Sequence, residues 1–376
     1  MIKLLYEASG DNYKIKDPFK ILALNYARKT AKNLKRFARY NIAISEISHS
    51  RGESAYQIQI KSSKVIDFRI AHVEEGLGTK NVGADELEKI YGGSFYESVA
   101  IDNAASIFND LSTTGAAPLS FMLHLAAYPT EWFTNFKRAT ALFKGTVSAC
   151  NLAGASWGGG ESATLRDIIS TGRSLLSGSA TGLIIPSEKA LTEDKLVARD
   201  HIILLESSGV HTNGITLLRK ELLKRLPKGY QTKLSDGTTF GEALITPSTI
   251  YSKFVEEAVH QTEIHYAVHI TGHGFRKLMR ASKNFTYVIK KMPKPQPIFK
   301  LIQQYSSSSD FDMYGSYNMG VGFALFVPPK SVDKIITIGK KMSIPALDAG
   351  YVEKGPRKVV IEPLGIEFRG ESLQIR

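Results

Sequence analysis

Asn109-Asp110-Leu111-Ser112-Thr113-Thr114-Gly115-Ala116-Ala117-Pro118 is the stretch on which the reading of this chain turns. Ala104, Ile107 and Phe108 before it recur at helical spacing, so the Asn-Asp pair marks a helix end and the glycine a corner beyond it. A carboxylate at an element end suits a phosphate-bound Mg²⁺, which usually takes one or two carboxylates together with phosphate oxygens. An Asx turn closing a helix would use the same residues. Two further segments set acids beside glycines. Glu74-Glu75-Gly76-Leu77-Gly78-Thr79-Lys80-Asn81 follows residues 65–73, whose alternation reads as a strand. Trp157-Gly158-Gly159-Gly160-Glu161-Ser162 follows a helical run ending at Ala153-Gly154 and reads as a loop with Trp157 packed beneath it. Glu75, Asp110 and Glu161 could together ring a metal-bound polyphosphate, with Lys80 adding positive charge. Neither a GxxxxGK[ST] nor a GxGxxG pattern is present.

NDLSTTGAAP, GLGTK (residues 76–80) and GGGES (158–162) resemble the nucleotide-site motifs of the aminoimidazole ribonucleotide synthetase family, the phosphoribosylformylglycinamidine cyclo-ligases. SSGVHTNGITLLRK (207–220), HITGHG (269–274), YNMGVGFALFVPP (317–329) and the opening YEASGDNY (6–13) are similar to further motifs of that family, in its order. The chain departs from it where Glu75 replaces an aspartate and His273 a glycine. Arg276-Lys277-Leu278-Met279-Arg280 also stands where the family has Glu-Asn-x-Pro-Arg, so a divergent branch is expected.

The resemblance implies a two-domain PurM-like α/β fold with mixed sheets: an N-terminal mixed-sheet domain (1–188), a C-terminal α/β domain (189–376), and the active cleft between them. It implies ATP-dependent cyclisation of formylglycinamidine ribonucleotide to aminoimidazole ribonucleotide, in purine biosynthesis. Glu75, Asp110 and Glu161 would hold Mg²⁺. Gly76, Gly78, Thr79, Lys80, Asn109, Asp110, Gly115, Gly160 and Glu161 would bind ATP, Gly115 by letting backbone approach the ligand. Asp110, His211 and Asn213 would be catalytic. His269, Gly272, His273, Gly274, Arg276 and Arg280 would meet the ribonucleotide substrate, the arginines as a phosphate seat; an exposed i, i+4 helical pair fits their spacing equally. A cytoplasmic homodimer through the strands at 56–60 and 65–73 is expected, since pairing would protect their edges. The alternatives are another small-molecule kinase of the same superfamily, of the thiamine-monophosphate kinase type, and a non-catalytic paralogue.

Composition bounds the rest. A chain of 376 residues with 43% hydrophobic content suits two globular domains, and its longest apolar runs fall short of a membrane span. Residues 1–10 lack the apolar core of a signal peptide. The single cysteine, Cys150, lies in an apolar helical pattern and reads as a core thiol in a reducing compartment. Net charge is +12, much of it at Lys14, Lys16, Lys20, Arg28, Lys29, Lys32, Lys35, Arg36 and Arg39. Phe19, Leu24, Ala27 and Leu34 give the same stretch a core-facing stripe, so these cations read as its solvated side, with neither nucleic acid nor membrane as partner. Residues 186–195 read as the domain boundary, followed by a strand at 202–205 and a helix at 215–226 that Thr212 or Asn213 could cap. His265, His269 and His273 share a four-residue spacing, but Gly272 and Gly274 interrupt the element and no fourth zinc ligand is near.

Overall fold

The computed structural model of the chain describes residues 12–51 and 55–373. The stretch at residues 6–11 of the opening motif lies outside them. The chain divides into two compact units, one comprising residues up to Phe108 with Pro118–Ile185, the other Asn109–Ala117 with the residues from Pro186 onward. Both are α/β with mixed sheets.

The first unit opens with α1 (Tyr13–Ala27), whose N-cap Asn12 accepts the Ile15 N–H, and continues into a long 3₁₀ segment at Arg28–Tyr40. Among the described residues, strands β1 (Ala43–Glu46) and β2 (Ile58–Lys61) form a two-stranded antiparallel sheet. Then come β3 (Arg69–Gly76), α2 (Lys80–Tyr91), α3 (Tyr96–Ser112), β4 (Ala117–Tyr128), α4 (Phe136–Ala153), β5 (Ser156–Thr164) and β6 (Arg173–Ile184). The sheet order is β3-β6-β4-β5, antiparallel at β3–β6 and parallel at β4–β5. Helices α3 and α4 bury Ala104, Ala105 and Ala149, and their Phe108 and Phe143 rings meet Phe121 and Trp157 of the sheet at 5.4 and 5.7 Å between centroids. The core thiol of Cys150 is buried, and burial pushes it well up from the ordinary range.

Two sequence expectations change here. The strand read at 65–73 begins at Arg69 and runs on through Glu75 and Gly76. The Gly158-Gly159-Gly160 segment is not a loop but part of β5, with a bulge opposite Phe121 and Met122. Bare glycines mimic a loop in sequence, yet neighbouring side chains and backbone occupy the space that two of them leave.

The second unit holds a seven-stranded sheet of order β13-β12-β9-β11-β7-β10-β8. Its strands are β7 (His201–Glu206), β8 (Tyr266–His269), β9 (Phe285–Ile289), β10 (Val321–Val327), β11 (Ala346–Lys354), β12 (Lys358–Ile361) and β13 (Ile366–Arg369). Its helices are α5 (Ile215–Leu217), α6 (Phe240–Ile245), α7 (Ser252–Gln261), α8 (Pro297–Ser306), α9 (Asp310–Ser316) and α10 (Val332–Met342). Phe254, Val255 and Ala258 of α7 and Ile335 and Ile338 of α10 pack on Ile203, Leu205, Phe323 and Leu325. The helix expected at 215–226 is irregular: α5 gives way to a π turn at Leu218–Leu222 and a 3₁₀ turn at Leu223–Arg225. Its N-cap is Gly214, with no side-chain cap, so neither Thr212 nor Asn213 caps it.

Candidate active site

The last turn of α3 carries the Asn-Asp pair and belongs with the second unit. Asn109 is buried there; it donates to the Thr249 carbonyl at 2.9 Å and accepts the Tyr251 N–H at 2.9 Å. It is therefore a staple between segments, not a nucleotide contact. Gly115 adopts φ +82, and a Cβ there would come within 3.0 Å of the Lys189 carbonyl. The close approach expected of a ligand is thus taken by the chain itself, reinforced by the Leu191 N–H donating to Thr114 O at 3.0 Å.

Asp110 meets a histidine. Its Oδ1 lies 2.6 Å from Nδ1 of His269, the last residue of β8, with side-chain exposures of 35% and 5%. Burial pushes the Asp110 carboxyl up. The His269 hydrogen bond and charge, with Lys277 and Arg280 behind them, outweigh burial and hold it below the usual carboxylate value. An Nδ1–H held on a carboxylate fixes the imidazole and leaves Nε2 for proton transfer. Asn213 reaches the same end of the sheet, since a Cβ on Gly272 would meet its Oδ1 at 3.3 Å. His273, exposed beside Gly272, is held below the ordinary imidazole value by burial and by Lys277, Arg276 and Arg280.

Other expected residues are held by the chain itself. His211 is 3% exposed with φ +56, and its Nε2 accepts the Ser208 N–H at 3.3 Å and the Thr249 N–H at 3.5 Å, so it ties the turn after β7 to the segment before α7. A Cβ on Gly274 would strike the Tyr314 carbonyl at 2.2 Å; this glycine serves packing against α9. Arg276 lies over the Phe368 ring at 5.1 Å and the Phe311 ring at 5.9 Å. It is a cationic plug between α9 and β13, not the phosphate contact expected of it. Sequence reading passed over Lys277, whose charge falls on Asp110, and Asn318. The Asn318 Nδ2 donates to Gly209 O at 2.8 Å, while its Oδ1 accepts from Ser207 Oγ at 3.1 Å. The NMG motif was the signal for the latter.

In the first unit the two expected metal-site carboxylates, Glu75 and Glu161, are not neighbours. Glu75 on β3 and Glu161 on β5 occupy opposite edge strands, with β6 and β4 between them, roughly 14 Å apart by strand spacing. Among the described residues no group of three His, Cys, Asp or Glu could hold a metal. Lys80 is 0% exposed, and its ammonium sits 2.7 Å from Asp102 in the interior. It cannot meet a phosphate there. Burial pushes its ammonium below the ordinary lysine value, and Asp102 opposes that shift. Gly76 and Gly78 have nothing within 4 Å of an added Cβ, so the turn ending at Thr79 is open. Gly160 and Glu161 are exposed at a cavity of about 650 Å³ that Phe19, Lys20, Tyr56 and Trp157 also line. Trp157 is buried, as expected, and donates from Nε1 to Gly159 O at 2.8 Å.

Comparisons with known proteins bear on both units. The family described as AIR synthase related protein matches with its N-terminal domain over residues 83–184 and with its C-terminal domain over 199–362. A phosphoribosylformylglycinamidine cyclo-ligase of Methanocaldococcus jannaschii is 34% identical over 76% of this chain and 79% of its own length. Another of the same name from Pyrococcus horikoshii is 32% identical over 80% and 84%. Among solved structures, a thiamine-monophosphate kinase from Stenotrophomonas maltophilia superposes with TM-score 0.57 at 15% identity, covering 83% of this chain and 90% of that one. A hydrogenase maturation protein HypE in complex with ATP gives 0.56 at 15%, covering 88% and 90%. Among the described residues no helix is long and apolar enough to cross a membrane. With both domains matched in order and identities near one third over most of each chain, the protein belongs to the AIR synthase family of cyclo-ligase enzymes.

Proposed function

We propose that this enzyme closes formylglycinamidine ribonucleotide to aminoimidazole ribonucleotide at the expense of ATP. The relatives carry the name of that reaction, and the observation that carries the reading in this chain is the 2.6 Å His269–Asp110 pair beside Asn213, Lys277 and Arg280. The substrate's amide oxygen attacks the γ-phosphorus of ATP and ADP departs. An amidine-side nitrogen then attacks the activated carbon, loses its proton, and the C–O bond breaks to release phosphate. His269 Nε2 takes that proton, and Asp110 is the positioning residue that stabilises the imidazolium. Arg280 and Lys277 offer charge to the substrate's phosphate, while Asn213 supplies amide hydrogen bonds. A magnesium ion carried by the nucleotide fits one exposed carboxylate, Glu161, together with phosphate oxygens.

We read β3 as the edge where a second copy pairs, because Ile70 is 66% exposed on it and Val65 and Phe68 lie bare just before it. The test of function is incubation of purified protein with formylglycinamidine ribonucleotide and ATP, with product followed by mass spectrometry. One ADP per aminoimidazole ribonucleotide supports the reading. ADP formation with a phosphorylated, uncyclised substrate would instead support the kinase alternative.

A further inference from the structure

We infer that His273 is a specificity residue of the ribonucleotide site: together with Arg280 it hydrogen-bonds the substrate's phosphate, and it binds a proton as it does so. This rests on the cyclo-ligase reading and adds to it a residue and a coupled proton. His273 stands where the motif that HITGHG resembles has a glycine, so the imidazole is an addition of this chain. It lies four residues beyond His269, on the turn that leaves β8 at the end of the sheet where the His269–Asp110 pair sits. The backbone on either side is pinned. The Gly274 N–H donates to Thr271 O at 2.7 Å and the Arg276 N–H to His273 O at 3.2 Å, while Gly274 packs too closely on α9 to admit a Cβ. The imidazole is therefore held out to solvent from a fixed point, beside Gly272, which borders Asn213.

The charges that act on His273 all have one sign. Burial, then Lys277, Arg276 and Arg280, hold the imidazole below its ordinary value, so it is neutral in the ligand-free protein at neutral pH. Lys277 and Arg280 act on Asp110 as well, so the imidazole and the His269–Asp110 pair share the same two cations. The carboxylates of this region are committed elsewhere: Asp110 to His269, and Asp312 of α9 to the Ser309 cap. Arg276 is bracketed by Phe311 and Phe368. Among the described residues, the side chains of the exposed His273 and the half-buried Arg280 have no hydrogen-bond partner. Such a cluster suits an anion, and a phosphate monoester fits it, with about two negative charges near neutral pH and three acceptor oxygens. The seated phosphate offsets the repulsion from the cations and favours the imidazolium, whose two N–H groups both donate. The proton comes from solvent, one for each ribonucleotide bound.

Titration calorimetry of the full chain with formylglycinamidine ribonucleotide tests this when run at neutral pH in buffers of different ionisation enthalpy, with magnesium and a non-hydrolysable ATP analogue present. The parent should take up most of a proton per ribonucleotide, and the dephosphorylated substrate should bind with none. His273→Gly should abolish the uptake and raise KM by roughly tenfold at unchanged melting temperature, since a charge-assisted phosphate contact is lost. His273→Gln, which keeps a donor and takes no proton, should recover part of the affinity and none of the uptake. With one proton coupled to binding, the parent's KM should climb above neutral pH by up to about tenfold per unit, and the Gly variant's should not. If the parent and both variants agree within about twofold in KM and take up the same fraction of a proton, His273 is a surface residue and the cyclo-ligase reading stands. A parent that neither binds nor turns over the ribonucleotide would remove that reading and this inference with it.

Discussion

Replacing Asp110 with Asn probes the proposed proton-transfer pair with little change of shape. The wild-type contact is a charge-assisted hydrogen bond of 2.6 Å, with His269 almost wholly buried and Asp110 35% exposed. Hydrogen bonds to charged groups contribute about 1.5–3 kcal/mol, and partial exposure lowers that through solvent screening. Asparagine retains an acceptor oxygen, so the expected loss of stability is about 1 kcal/mol. The catalytic loss should be much larger, roughly a hundredfold or more in kcat, because the imidazolium formed on His269 loses its counter-charge. The pH profile supplies a second check. The folded Asp110 titrates below its unfolded value of about 3.9. Its stabilisation is therefore complete above that value and is lost as pH falls through the lower folded one. The Asn variant should lack this acid-side decline. Urea unfolding across pH, run beside single-turnover assays, measures both effects. A variant with parental turnover would refute the reasoning and reduce Asp110 to a helix-end residue.

Lys80→Met should destabilise the first unit by about 3–5 kcal/mol by stranding Asp102 in the interior, and Asp102→Leu in the same chain should restore much of it; a well-folded single variant that has merely lost ATP binding would return Lys80 to the phosphates. Arg276→Met should lower the melting temperature by loosening the Phe311–Phe368 bracket, worth about 0.5–2 kcal/mol, with KM unchanged. Arg280→Met should raise KM for the ribonucleotide at constant stability, and steady-state kinetics showing the reverse assignment would overturn this division of labour. Light scattering at micromolar concentration should show a dimer that Ile70→Lys dissociates; a monomeric parent defeats that proposal.

Local rules made much of this architecture readable. The helix that closes just beyond Asn109 and Asp110, at Ser112, and the strand before Ser207 each follow from apolar spacing or turn chemistry within a few residues. What escaped reading depends on distant partners. Lys80 looks like a phosphate ligand until Asp102, from another helix, is found against it. Arg276 and Arg280 look equivalent until Phe311 and Phe368 close on one of them. Gly115 and Gly274 looked like ligand-facing glycines, yet the Lys189 and Tyr314 carbonyls occupy the space their missing side chains leave. The wall that α1 gives to the glycine-strand cavity has no local signature beyond a basic amphipathic pattern.

Isotope transfer tests the central claim most directly. Formylglycinamidine ribonucleotide carrying ¹⁸O in its amide carbonyl should, on turnover with ATP, yield aminoimidazole ribonucleotide and inorganic phosphate containing that ¹⁸O. Bond formation between the amide oxygen and the γ-phosphorus requires it. Unlabelled phosphate, or ¹⁸O retained in a phosphorylated but uncyclised product, would contradict the account.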